Sequence, residues 1–287
     1  MKKRIWKIVS AALCMIMVMS QTVFADSIMG GEKEYVSLGA DLSQKEKETV
    51  LKLLDIDNLE DYDVEYITNK QEHEYLDEYL SKSVIGSRAL SSVRVKEGGD
   101  GIEVKTYNIS FCTEGMYRNA LATAGMENAQ VTVAGPFNIS GTAALVGAMK
   151  AYESMTGEKV SEENLDAANQ ELVVTGQVAE SIGEEEAEQL MALVKEKVVS
   201  RGAESVEDIK TIIDESANEL NIKLSDEDRA KIEELMQKIS DLDLDIDQLK
   251  EQAKDIYNKL ESMGIEFNEG FFTKLKNWFL SLFDFLR

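Results

Sequence analysis

Histidine, proline and cysteine are nearly missing from this chain, and two of these shortages close a class of chemistry. The one histidine, His73, cannot supply the usual histidine-rich zinc site. Of the two cysteines, Cys14 lies in an apolar leader, so Cys112 stands alone once that leader is removed. No intramolecular disulfide and no cysteine cluster can then form, a pattern that suits bacterial export better than a disulfide-dense secreted module. Basic residues are also short, with 31 Lys and Arg against 54 Asp and Glu and a formal charge of −23. A nucleic acid needs a Lys/Arg footprint and would be repelled here, which excludes that class of partner. Simple electrostatic adhesion to anionic lipid or wall polymer is disfavoured for the same reason. The phosphate loop G-x-x-x-x-G-K-[ST] is missing, as are the hydrolase signatures G-x-S-x-G and S-x-x-K. No cofactor and no metal site is expected.

What is present begins with a leader. Lys2, Lys3, Arg4 and Lys7 form a basic start, Ile8 to Met19 an apolar core, and Val23-Phe24-Ala25 a cleavage site before Asp26. Residues 1–25 therefore read as a secretory signal peptide cleaved after Ala25. The core is too short for a comfortable membrane span. Removing the four leading bases leaves 27 against 54 acids, a formal charge of −27.

The remaining acid is unevenly spread. Residues 26–85 and 158–287 are strongly acidic, whereas residues 86–157 carry six bases and six acids. That neutral middle also holds the one proline, Pro136, and most of the glycines. From 34 to 157 strand and helix patterns alternate. Ser43 with Glu46 makes a capping box, and Asn69 is placed to cap the helix "KQEHEYLDEYL". "SSVRVKE" and "GIEVKTYNI" flank Gly98-Gly99-Asp100-Gly101, a strong hairpin signal. After Gly157 the periodicity is helical: Ile209, Ile212 and Ile213 share one face, Ile232, Leu235, Met236 and Ile239 another. Ser205 with Asp208 and Ser225 with Asp228 are capping pairs.

"YVSLGADLSQKEKE", "ITNKQEHEYL", "IGSRALSSVRV" and "YRNALATAGMENAQVTVAGPFNISGTAALVGAMKAYE" stand in an order that resembles the YpuA-like proteins. These are exported proteins of Gram-positive bacteria, grouped as a domain family of unknown function. The resemblance is dense over residues 34–200 and looser to about 262. It implies export and an envelope or extracellular setting, and it carries over no catalytic residue.

Two segments are candidates for function. "TYNISFC" at 106–112 and "PFNISGT" at 136–142 repeat a pattern 30 residues apart, each closing a strand pattern before a helix pattern. If the two strands are parallel neighbours, both motifs open at one sheet edge, where such sheets bind ligands. Asn108, Ser110, Asn138, Ser140 and Thr142 would then face a small anionic or wall-derived ligand. The plainer alternative makes Ser110 and Ser140 helix N-caps. The C-terminal "GFFTKLKNWFLSLFDFLR" is the second candidate. Phe271, Phe272, Trp278, Phe279 and Phe283 would give an aromatic amphipathic helix that meets a membrane surface or a partner protein, or docks on the fold.

The expected architecture is an α+β or α/β N-terminal domain, a short mixed sheet with βα units, followed by an all-helical C-terminal region. The parts are a signal peptide (1–25), a βα-rich domain (26–157), a helical region (158–266) and an amphipathic aromatic helix (267–287). The expected role is non-catalytic binding or scaffolding at the cell envelope or outside the cell. The alternative is an envelope-polymer or lipid-modifying enzyme using carboxylates or Cys112, whose thiol would be activated in the first turn of a helix.

Overall fold

The computed structural model describes residues 34–262 except 100, 158 and 204, with 257–262 described by backbone alone. The signal peptide and the segment 267–287 lie outside the described residues. Strand β1 (Tyr35–Gly39) is followed by helix α1 (Gln44–Leu53), a short 3-10 turn, β2 (Asp63–Ile67), α2 (Asn69–Leu76) and the four-residue α3 (Lys82–Ile85). Strands β3 (Ser92–Glu97) and β4 (Ile102–Ile109) come next, then α4 (Glu114–Thr123), β5 (Ala129–Ile139) and α5 (Thr142–Thr156). Five helices complete the described chain: α6 (Glu162–Ile182), α7 (Glu184–Arg201), α8 (Val206–Glu219), α9 (Asp226–Ser240) and α10 (Ile246–Ser262). A mixed sheet with βα units followed by helices is the architecture the sequence pattern implies.

Local chemistry explains most of the boundaries. The Ser43 hydroxyl accepts from Glu46 N while the Glu46 carboxylate accepts from Ser43 N, which fixes the start of α1. Ser205 and Ser225 cap α8 and α9 through Asp208 N and Asp228 N. The cap of α2 is Thr68, which forms a box with Gln71. Asn69, expected in that role, sits one residue inside, and its amide reaches Glu72 and the Gly86 carbonyl. The aspartates of 241–247 join α9 to α10, with Asp245 accepting from Gln248 N.

The sheet runs β2-β1-β3-β5-β4, with β1–β2 and β4–β5 parallel and the two pairs around β3 antiparallel. The expected hairpin between β3 and β4 is therefore absent, because β5 lies between them. The glycine loop spans two strand spacings, about 9.5 Å, and straddles the start of β5. Gly98 N donates to Asn128 O, Gly101 N to the Asn128 side chain, and Ala129 N to Gly101 O. Val131 and Val133 explain the insertion. Both are fully buried, so their strand is stable only with a neighbour on each side and a covered face.

Alternation along the strands divides the two faces. Val36, Leu38 and Ala134 pack against Val50, Leu54 and Ile56 under α1. Val93, Val95, Val104, Val131 and Val133 face the other way and share one core with residues of α4 through α10. Helix α5 crosses β1 and β3 so closely that a Cβ on Gly147 would lie 2.6 Å from Ser37 Oγ. Eight of the ten residues of α4 are buried, which makes it the shared wall between the sheet and the helical layer.

At that wall lies an ion pair. Lys195 is wholly buried, and its ammonium donates to Asn119 O (2.8 Å), Thr123 Oγ1 (3.0 Å) and Glu171 Oε2 (3.2 Å), with Glu171 Oε1 3.0 Å away. Burial pushes the Glu171 acid up and the Lys195 amine down from their ordinary values, while each partner pulls the other back. Asn119 extends the network, donating to Glu188 O and accepting from Gln252 of α10. Replacing Lys195 by Met strands a buried carboxylate, and urea unfolding is expected to show a loss of about 3–5 kcal/mol. The double replacement Lys195→Met/Glu171→Leu is expected to recover most of that loss.

Candidate functional site

The repeated Asn-Ile-Ser motifs meet at one place. Because β4 and β5 are parallel neighbours, Ile109 pairs with Ile139 and both strands end at the same edge of the sheet. The approach to that pair is irregular. Tyr107 pairs with Ala134, so Gly135 to Asn138 of β5 lie opposite the single residue Asn108. Asn108 adopts the left-handed conformation, φ 57°, which asparagine tolerates better than most residues. Its amide donates to Gly135 O at 3.0 Å and ties the bulge down. A Cβ on Gly135 would meet the Ile139 side chain and the carbonyls of Asn108 and Phe137 at 2.7–2.8 Å, so glycine is required for this close turn.

Ser110 and Ser140 are not helix caps. Ser110 uses both its N–H (2.8 Å) and its hydroxyl (3.1 Å) to donate to Ile139 O, and Cys112 N donates to Ser140 O. The strands are thereby stitched together beyond their last paired residues. The cap of α4 is Thr113, which accepts from Met116 N and donates to Glu188. The cap of α5 is Gly141 at φ 98°, whose carbonyl accepts the Tyr117 hydroxyl. Asn108, Ser110 and Asn138 are exposed, Ser140 is half-buried, and Thr142 is buried.

Behind the edge lies a buried acid that sequence reasoning missed. Thr142 Oγ1 donates to Glu72 of α2, and the second Glu72 oxygen accepts from Asn69 at 3.2 Å. Ser140 Oγ lies 3.1 Å from Thr142 Oγ1, which connects the exposed motif to this acid. Burial raises the Glu72 pKa above its ordinary value. The spacing carries a signal: Leu76 lies four residues on, so Glu72 shares its face of α2, and the structure buries both.

Both helix starts at this edge already face carboxyls of the chain itself. Glu114 occupies the first turn of α4 and accepts from Thr106 N of β4 at 3.0 Å. Glu72 lies beside the start of α5. The positive ends of the two dipoles are therefore largely satisfied within the protein.

The Cys112 reading is corrected. Helix α4 begins at Glu114, so Cys112 precedes the cap rather than sitting in the first turn. The thiol is fully buried, and burial pushes its pKa far up, with the charge of Glu72 adding to the effect. His73 is engaged elsewhere. Its two ring nitrogens lie 2.6 Å from Asp77 Oδ1 and 3.1 Å from Gly86 O, both acceptors, and the Asp77 contact raises its pKa. Beside Glu114, the exposed side chains at the edge are amides, a hydroxyl and two aromatic rings, Tyr107 and Phe137, 42% and 50% exposed. Among the described residues, no group of three or more His, Cys, Asp or Glu is placed to hold a metal ion. No helix among them is long and apolar enough to cross a membrane. Phe271, Phe272, Trp278, Phe279 and Phe283 lie outside the described residues.

Residues 38–256 match the model of a family described as "Protein of unknown function (DUF1002)". The chain belongs to that family. It is 39% identical over 288 residues to the "Uncharacterized protein YpuA" of Bacillus subtilis (strain 168), covering 98% of this chain and 97% of the relative. No solved structure matches the DUF1002 chain described here.

Two outcomes are expected at this site. A raised acid binds its proton more tightly in the folded state, so the stability it contributes is complete below about pH 4.5 and is lost as pH rises through the folded value. Urea midpoints measured from pH 4 to 8 are expected to fall less steeply for Glu72→Gln than for the native protein. Iodoacetamide is expected to leave Cys112 unmodified in native buffer and to alkylate it in denaturant, with mass spectrometry as the readout.

Proposed function

We propose that this chain is an exported, non-catalytic binding protein of the Gram-positive envelope or its surroundings, with its ligand site at the β4–β5 edge. The observation that carries this reading is the parallel pairing that sets Ile109 opposite Ile139 and brings two copies of one motif side by side. Asn108, Ser110 and Asn138 are exposed, and although the Asn108 amide donates to Gly135 O and the Ser110 hydroxyl to Ile139 O, each keeps hydrogen-bonding capacity for a ligand. Ser140 and Thr142 support the edge from behind through Glu72. A wall-derived ligand has better support than a small anion, because Glu114 and Glu72 already occupy the helix starts where an anion would bind.

Export rests on residues 1–25, with cleavage after Ala25. The segment 267–287 supplies the second contact, to a membrane surface or a partner protein, through Phe271, Phe272, Trp278, Phe279 and Phe283. Cell fractionation with N-terminal sequencing of the product is expected to find Asp26 first, in the envelope or the medium. A product retaining Met1 in the cytoplasm would remove the export reading. A thermal-shift panel of phosphate, phospholipid headgroups, wall-derived sugars and wall peptides tests the site. One of them is expected to raise the melting temperature by several degrees, and Ser110→Ala/Asn138→Ala is expected to abolish that rise while lowering the unliganded value only by the loss of the Ser110–Ile139 bond. Unchanged melting across the whole panel would refute the sheet-edge site.

A further inference from the structure

The geometry points to an uncharged saccharide as the ligand of the β4–β5 edge, stacked on Tyr107 and Phe137; this rests on the reading of that edge as the binding site. Only five large apolar side chains among the described residues are substantially exposed, and these two occupy equivalent places in the repeat, each one residue before an exposed asparagine. Tyr66, another of the five, is already covered by Lys47, whose ammonium lies 5.3 Å from the ring centre and donates to its hydroxyl. Tyr107 follows Glu103 and Lys105 on the outward face of β4, opposite buried Val104. Phe137 sits in the bulge that the Asn108–Gly135 bond closes, and Pro136 before it has a fixed φ. Rings held on strands rather than on mobile loops lose little freedom on binding.

The chemistry around the rings selects the ligand. Tyr107, Asn108, Ser110, Phe137 and Asn138 are uncharged, and the charged neighbours are Glu103 and Lys105 further back along β4 and Glu114, which holds Thr106 N, in a chain whose formal charge is −23. The long-range field of that charge repels a phosphate-bearing polymer. An extended peptide adding to β4 as a further strand would lose a ladder bond beside Tyr107, because the outward N–H of Thr106 is already held by Glu114. A lipid chain would desolvate the remaining hydrogen-bonding capacity of Asn108 and Ser110, each of which spends only one donor on a β5 carbonyl, and would offer it no partner. A sugar ring satisfies both demands at once. Its C–H face covers an aromatic ring, and its rim of hydroxyls meets the asparagine amides and Ser110.

Isothermal titration calorimetry of the full-length gene product, purified as the cells deliver it, tests this. The probes are chitohexaose, cellohexaose and wall glycan stripped of peptide and anionic polymer. At least one is expected to bind with an affinity that is unchanged between low and high salt. Tyr107→Ala/Phe137→Ala is expected to weaken it ~10-fold or more, as loss of a central aromatic anchor does. Tyr107→Phe/Phe137→Tyr, which keeps both rings, is expected to retain it, and urea midpoints confirm that both exposed-site variants fold. The proposal is overturned if no saccharide binds, if the alanine variant binds equally well, or if salt abolishes binding. A thermal shift with phosphate or peptide that is lost in Ser110→Ala/Asn138→Ala but kept in the aromatic variant would leave the sheet-edge site standing and remove the saccharide. Silence from every ligand class would remove both.

Discussion

The Lys195–Glu171 pair is the constraint on which the arrangement turns. Removing an ammonium and a carboxylate from water costs several kcal/mol each, and the cost is tolerable only where every donor finds an acceptor. Lys195 meets that condition, with three partners for its three protons. The partners come from α4 and α6, and Asn119 links the same cluster to α10. A slip of any of these helices along its neighbour would break a buried polar contact, so the network fixes their register where apolar packing alone would tolerate sliding.

That register is transmitted to the sheet edge through α4. Its cap, Thr113, is held by Glu188 of α7, and its Tyr117 hydroxyl holds the Gly141 carbonyl at the start of α5. The start of α5 in turn meets Glu72 through Thr142. Helical layer, central helix and β4–β5 edge are therefore one mechanical unit. The edge can present exposed amides and rings in fixed positions because what lies behind it is fully packed.

Much of this was legible in the sequence where the deciding chemistry is local. Ser43, Ser205 and Ser225 announce their helices by the residue three positions on, and the strand-helix alternation gives the layer order. The Asn-Ile-Ser repeat marks two strand ends that the structure sets at one edge of the sheet. The alternative that made its serines caps fails because a cap is defined by backbone geometry that the composition does not contain, and Thr113 and Gly141 stand close enough to take the role. The hairpin expectation failed for a different reason. Gly98 to Gly101 encode a reversal, but nothing local tells whether a third strand will enter the gap. Lys195 and Glu171 were illegible because charged residues on long acidic helices ordinarily face water. Only the crossing of α4, α6 and α7 places them inside. Cys112 shows the converse, a nucleophile by composition that burial renders inert.

The insertion of β5 has a consequence for how the chain reaches this state. Strands β3 and β4 leave the ribosome before β5 exists, and their glycine loop is competent to close them into a local hairpin. Hairpins form in microseconds, whereas contacts across 30 residues form later. The early pairing has the correct relative direction, since β3 and β4 are antiparallel in the finished sheet as well. Such a pairing would nevertheless have to open by one strand spacing to admit Val131 and Val133. The loop's three glycines at positive φ let one short segment bridge a strand in the native protein while keeping the freedom to close as a tight turn.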